Sequence, residues 1–149
     1  MTPRIRPARN EDALPLARIL REWIDETEWF RSPHPPNSDE VFVLRKIRDG
    51  VVTVAEAKTP IGFVALEGTY VSCLYVAAAH RGAGVGRLLL DHVKAASPAL
   101  RLWTFQANTD ARRFYAREGF AEIQLTDGSE NEEGLPDAEL LWRKEETHA

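Results

Sequence analysis

The chain of 149 residues has a single cysteine, Cys73. One thiol closes no intramolecular disulfide and builds no cysteine-rich zinc site, which agrees with a reducing compartment and leaves stability to packing. Long apolar runs are missing too: none approaches the roughly 18 residues that a membrane-spanning helix takes. The N-terminus, with Pro3, Arg4, Arg6 and Arg9 and no apolar block behind them, lacks the layout of a signal peptide. A cytoplasmic protein with no membrane partner is the expectation. Positive charge is also in deficit, with 19 Lys and Arg against 23 Asp and Glu, a net charge of −4 and a pI near 5.6. That is the wrong sign for a protein whose affinity comes from contacts to many phosphates, so no nucleic-acid partner is expected. The histidines His34, His80, His92 and His148 show no His-Glu-x-x-His spacing, and no metal is expected.

What is present is ordinary for a folded protein: 44% hydrophobic and 28% charged residues, in a length that suits one domain, residues 1–149, around one core. The charge is uneven. Residues 122–139 hold seven acids (Glu122, Asp127, Glu130, Glu132, Glu133, Asp137, Glu139) and no Lys or Arg, whereas His80 to Arg87 hold two arginines and no acid. A short extended segment, Arg4 to Pro7, precedes a helical pattern in Leu16, Ile19, Leu20, Trp23 and Ile24, with Asp12 as the expected cap. The prolines from Pro33 to Pro36 make a loop, and a second helix is expected from a Ser38 cap through Val41, Leu44 and Ile47 to Gly50.

From Val51 the period changes to two, giving strands Val51 to Ala57, Ile61 to Glu67 and Val71 to Val76. A helix follows along Val85, Leu88, Leu89, Val93 and Ala96, then a strand Leu100 to Phe105 and a helix Asp110 to Arg117. Strands Phe120 to Thr126 and Ala138 to Arg143, joined by the acidic loop, close the sheet. The order β, α, α, β, β, β, α, β, α, β, β points to an α/β (α+β) sheet of mixed direction.

Between the third of these strands and the next helix lies Arg81, Gly82, Ala83, Gly84, Val85, Gly86, Arg87. Glycine removes Cβ, so the backbone adopts positive φ and its N–H groups approach a ligand closely. At a helix start those N–H groups are orphan donors at the positive end of the dipole, which makes an anion site. A tight turn without a ligand is the other reading. The dinucleotide fingerprint fails because its third glycine would fall on Arg87, and the nucleotide P-loop fails because Arg87 and Leu88 follow Gly86.

The surviving pattern, Arg81-x-x-Gly84-x-Gly86 after Leu74, Tyr75 and Val76, resembles the acyl-CoA pyrophosphate loop of the GNAT superfamily of N-acetyltransferases. A second, independent match is Asn108, Ala111, Phe114, Tyr115, Gly119 and Phe120, at the spacing of the family's Asn-x-x-Ala-x-x-Phe-Tyr-x-x-x-Gly-Phe segment. Together they cover residues 71–120, and Ile5 to Ala8 fit more loosely. The resemblance implies a mostly antiparallel sheet of six to seven strands with about four helices. It also implies a splayed pair, Val71 to Val76 and Leu100 to Phe105, that holds pantetheine, and acetyl-CoA as the donor. Leu74 to Val76, Arg81 to Arg87, Asn108, Ala111, Phe114 and Tyr115 are its expected contacts.

Acyl transfer to an amine sets further requirements. An alkyl amine with a pKa near 10.4 is only about one part in 10³ neutral at pH 7, so a base or a depressed substrate pKa is needed. The departing thiol takes a smaller push from an acid, and the family places a tyrosine hydroxyl for this where Tyr115 stands; packing beside Phe114 is its other role. A backbone N–H on the strand of Leu74 to Val76 is the expected oxyanion donor, and Asn108 is open as a helix cap, a pantetheine contact or both. That strand carries no carboxylate. Acids near the first helix and in the acidic loop are therefore the candidates, with Glu26 and Glu132 as acceptor contacts or water-mediated bases, and Trp23, Trp29 and Phe30 as apolar walls. Cys73 lies inside a strand without an adjacent base, which suits a small buried hydrophobe rather than a nucleophile.

The expected function is transfer of acetyl from acetyl-CoA to a small, cationic amine by direct attack. The alternatives are a protein N-terminal or lysine acetyltransferase and a non-catalytic acyl-CoA-binding regulatory module. A homodimer through the C-terminal strands is also open.

Overall fold

In the computed structural model, which describes residues 2–145, a seven-stranded sheet is flanked by four helices. His148 lies outside the described residues. The strands are β1 (Arg4–Pro7), β2 (Val52–Glu56), β3 (Pro60–Glu67), β4 (Tyr70–Val76), β5 (Ala99–Phe105), β6 (Ala121–Leu125) and β7 (Asp137–Arg143). The helices are α1 (Ala13–Glu26), α2 (Asp39–Arg48), α3 (Val85–Ala96) and α4 (Thr109–Arg117). Their succession is the one the periodicity implies. Among the described residues no helix is long and apolar enough to cross a membrane.

Both expected caps are corrected. Each of the first two helices is preceded by a single 3₁₀ turn, so Asp12 (φ −78°, ψ −13°) and Ser38 (φ −88°, ψ −11°) already have helical backbone and make no side-chain cap bond. A capping side chain needs extended backbone to reach forward to the free N–H groups. The Asp12 carboxylate turns back instead, accepting from the Arg6 guanidinium at 2.8 and 3.0 Å and from the Arg9 N–H at 2.7 Å. Ser38 donates to the Pro35 carbonyl at 2.6 Å.

The sheet runs β1-β2-β3-β4-β5-β7-β6. β7 therefore inserts between β5 and β6, pairing antiparallel with both. Every neighbouring pair is antiparallel except β4 and β5, which meet in parallel at one position only, Tyr70 opposite Arg101. One further bond, from the Arg101 N–H to the Thr69 carbonyl at 2.9 Å, closes the foot of the pair. Beyond it the two strands diverge, as the resemblance implies. The edge of β4 that faces β5 thus keeps main-chain groups with no strand partner, a state that buried backbone avoids unless something else fills the gap.

Two apolar layers cover the sheet. α3 packs Val85, Leu89, Leu90 and Val93 on one face with Val64, Leu100, Leu102 and Leu140. On the other, α1 and α2 pack Leu16, Leu20, Val43 and Ile47 against Val52, Val54, Phe63 and Cys73. Gly62 sets how closely α3 approaches, because a Cβ there would sit 3.1 Å from the Tyr75 carbonyl and 3.2 Å from a Leu89 methyl. In β4 the register shifts so that Ser72 is an extra residue between Val71 and Cys73, a bulge at the point where the strand leaves its neighbour.

Candidate active site

The turn after β4 has the backbone its glycines suggest. Gly82 (φ +75°) and Gly84 (φ +84°) are left-handed, and a Cβ on either would meet no atom within 4 Å. Conformation and not crowding therefore demands glycine, and the space above the turn is open. α3 begins at Val85, its first backbone bond being Leu88 N–H to the Gly84 carbonyl at 3.0 Å. The N–H groups of the first turn have no acceptor within the helix and sit at its positive end. The charge of such a turn suits an anion. Gly86 lies against α4, where a Cβ would make only an ordinary contact at 3.4 Å from the Phe114 ring, so neither crowding nor conformation demands glycine at this position.

This turn forms one end of a cleft of about 1090 Å³ between the diverging strands. Of the expected contacts, Leu74, Tyr75 and Val76 of β4, then Arg81, Gly82, Gly84, Val85, Gly86 and Arg87 of the turn, line it. From the second motif Asn108, Ala111, Phe114 and Tyr115 line it as well; Ala83 does not. Asn108 caps α4, its Oδ1 accepting from the Ala111 N–H at 3.1 Å.

Tyr115 is 9% exposed, edge-on to Phe114 and Phe120 with ring centroids 5.2 and 5.3 Å away. It is a core residue and a cleft residue at once. Burial pushes its phenol well above the ordinary tyrosine value, and the nearby Cys73 adds to this, so it holds its proton at neutral pH. Burial likewise pushes the Cys73 thiol up to about 11, which keeps it an apolar packing group.

The two acidic candidates separate. Glu26 lines the cleft, but its carboxylate is engaged by the Arg81 guanidinium, which also donates to the Val76 carbonyl at 3.1 Å. Glu22, one turn earlier, accepts from the Ala78 N–H at 2.8 Å, so the end of α1 is tied to the segment after β4 twice. Glu132 is not brought to the cleft; it faces His34 across 3.3 Å at the surface. Trp23 and Trp29 do line the cleft, and the aromatic walls continue further than the sequence suggests. Trp23 meets Tyr75 edge-on at 5.7 Å, while Trp29 and Phe30 reach Phe105 at 5.7 and 5.5 Å. A strap of rings thus runs from α1 to the tip of β5.

A second chamber, of about 470 Å³, adjoins the first. Ser72, Trp103, Thr104 and Phe105 line both, while Tyr70, Glu130, Glu133 and Asp137 belong to the second alone. The acidic loop is visible in the sequence, but its convergence with Tyr70, Trp103 and Phe105 on one chamber is not. The alternation of Trp103 and Phe105 against the buried Leu100 and Leu102 was the available signal for two of them.

A family model described as "Acetyltransferase (GNAT) domain" matches residues 48–122, half of the chain. The chain belongs to the GNAT acetyltransferases. The Escherichia coli protein named peptidyl-lysine N-acetyltransferase YjaB is 31% identical to this acetyltransferase over 118 residues, covering 78% of this chain and 80% of its own. The solution structure of apo YjaB from the same organism superposes with a TM-score of 0.79 at 27% identity, covering 95% and 98% of the two chains. An N-acetyltransferase of Thermoplasma acidophilum solved in complex with coenzyme A shares the fold, with a TM-score of 0.78 at 22% identity over 97% and 100%. The chain is accordingly an acetyl-CoA-dependent acyltransferase.

Proposed function

We propose that this acetyltransferase moves the acetyl group of acetyl-CoA to the side-chain amine of a lysine in a protein or peptide, by direct attack and without an acyl-enzyme. The observation that carries the reading is the unzipped β4–β5 pair, which opens the sheet beyond Tyr70 and Arg101 with the glycine turn at one side and a second chamber at the other. Two substrates approaching from opposite sides meet there without crossing. Kinship to YjaB, named for a peptidyl-lysine activity, favours a protein or peptide acceptor over the small cationic amine that the acidic segments and the family resemblance suggest.

In this reading Gly82, Gly84 and the first turn of α3 hold the diphosphate, with Arg87, whose side chain is 71% exposed, as a counter-charge. The coenzyme supplies an acyl group already activated as a thioester. A β4 N–H on the unpaired edge near Leu74, Tyr75 or Val76 donates to the carbonyl oxygen as negative charge builds there. The amine nitrogen bonds to the acyl carbon as the carbon–sulfur bond breaks, and Tyr115, protonated at neutral pH, gives its proton to sulfur. The ammonium loses two protons in all: one ends on the thiol after Tyr115 is recharged, the other in solvent.

Coenzyme A release from acetyl-CoA, followed with a lysine-containing peptide and with a panel of small amines, tests the acceptor. Faster turnover of the peptide at matched amine concentration is expected. Turnover of small amines with none of any lysine peptide refutes the reading.

A further inference from the structure

Side chains alternate along β4, and the alternation decides what stands beside its unpaired edge. Beyond the bulge at Ser72, Leu74 and Val76 join the layer of α3, while Cys73 and Tyr75 join that of α1 and α2. The largest of these side chains, Tyr75, therefore lies on the α1 side of the edge that faces the gap, and it lines the cleft. Its ring is held in place. Phe63, 1% exposed, packs against it from β3 with centroids 5.7 Å apart, and Trp23 of α1 meets it at 5.7 Å. Trp23 is backed in turn by Phe30 at 5.1 Å and by Trp29 at 6.0 Å, so the wall is several rings deep. Rings at these separations are in contact, with no room for a guest between them, and a ring backed by a fully buried partner does not swing aside. Burial also pushes the Tyr75 phenol far above the ordinary tyrosine value, so this part of the wall stays uncharged at neutral pH.

Tyr115 belongs to the opposite layer, with α3. A trigonal acyl carbon whose oxygen takes a β4 N–H and whose sulfur turns to Tyr115 has one substituent left, and that one turns toward the α1 layer. We propose that Tyr75, buttressed by Phe63 and Trp23, is the gauge of acyl length: its ring leaves space for the methyl of an acetyl group and excludes the longer chains of propionyl-CoA and butyryl-CoA. The inference concerns the donor, goes beyond the choice of acceptor, and rests on the placement of the thioester at β4 in the direct-transfer reading. One methylene too many against an apolar wall changes discrimination by about 10- to 200-fold, because a packed wall yields only by forcing side chains off their rotamers. A longer chain has one other way to go, past Ser72 and Phe105 into the second chamber, since both residues line the two cavities.

Calorimetric titration of the full chain with coenzyme A and with acetyl-, propionyl- and butyryl-CoA tests this with no acceptor present, so the result is independent of which amine the enzyme uses. The wild type should bind propionyl-CoA about tenfold and butyryl-CoA about 100-fold more weakly than acetyl-CoA. Tyr75→Val keeps a strand-forming residue and removes the ring, and it should bring butyryl-CoA to within about threefold of acetyl-CoA. Tyr75→Phe keeps the ring and should retain the wild-type order. Trp23→Leu removes the buttress and should relax the order in the same direction; it decides the matter if Tyr75→Val loses affinity for coenzyme A itself. Butyryl-CoA bound by the wild type as tightly as acetyl-CoA overturns the gauge and sends the chain into the second chamber. A butyryl penalty that persists undiminished in the opened variants assigns the limit to another wall and overturns it equally.

Discussion

The two halves of the sheet are built differently. At β2 and β3 the strands are covered on both faces, and Val54, Val64, Ala55 and Ala65 have no exposed surface at all. From β5 to β6 the covering helices on the α1 and α2 side run out: every residue of β6 is exposed, Ile123 and Leu125 by 52% and 58%, and Trp103 is 36% exposed. The divergence of β4 from β5 falls on the boundary between the two regimes. A fully covered half can hold its strands rigidly, while a half left to loops can present walls to a substrate, and the unpaired edge between them is where chemistry has backbone donors to use.

The covered half is the place to expect the largest loss from one substitution. Arg6 is 8% exposed and pairs with Asp12, itself 4% exposed, and with Glu56 at 2.8 Å. Arg6→Leu leaves the Asp12 charge buried and uncompensated, so it should cost about 3–5 kcal/mol in a urea melt. Hydrogen bonds from Arg6 hold both carboxyls below their ordinary range. Lowered folded values mean stability that is present above the unfolded pKa, near 4, and is lost as pH falls through the folded values. Wild-type stability should therefore decline below about pH 4, and the Arg6→Leu chain should show a smaller decline; parallel slopes would detach the network from acid unfolding.

At the boundary the expected losses move from stability to function. Gly84→Val puts a branched side chain where φ is +84° and where the space is open, so acetyl-CoA affinity by calorimetry should fall by more than about 100-fold. Tyr115→Phe keeps the packing against Phe114 and Phe120 and removes the hydroxyl proposed as proton donor; kcat should fall about 10- to 100-fold at nearly constant acetyl-CoA affinity. An unchanged kcat would remove the phenol from the mechanism and leave Tyr115 a core residue.

Legibility in the sequence follows the same division. The β4–turn–α3 unit was readable because period two gives way to 3.6 across a glycine cluster whose conformational demand is local. Asp12 and Ser38 are cap residues by type but not by geometry, because a preceding 3₁₀ turn gives them helical backbone, and nothing in the residue types announces it. The insertion of β7 between β5 and β6 is a matter of long-range pairing, which period alone does not specify. The acids show the limit most sharply. Glu132 and Glu133 are adjacent and chemically identical, yet one pairs with His34 at the surface and the other lines the chamber, because an irregular loop gives neighbouring side chains different directions.

The smallest effect bears on Glu26, where two roles compete. Its carboxylate lines the cleft, as a base would, and it also holds Arg81, the first residue of the glycine turn. Both side chains of that pair are 38% exposed, and an ion pair so exposed contributes only about 0–1 kcal/mol, so the pair is readily exchanged. A diphosphate arriving at the turn competes with Glu26 for the same guanidinium. Glu26→Gln should then tighten acetyl-CoA by no more than about threefold and leave kcat within about threefold, because Arg81 is released and no proton acceptor is lost. A base at this position would instead make kcat fall by about 10²- to 10⁴-fold with acetyl-CoA affinity unmoved. The two roles thus change different constants, and a single titration with one rate measurement separates a strut on the covered side of the boundary from a reactive group on the open side.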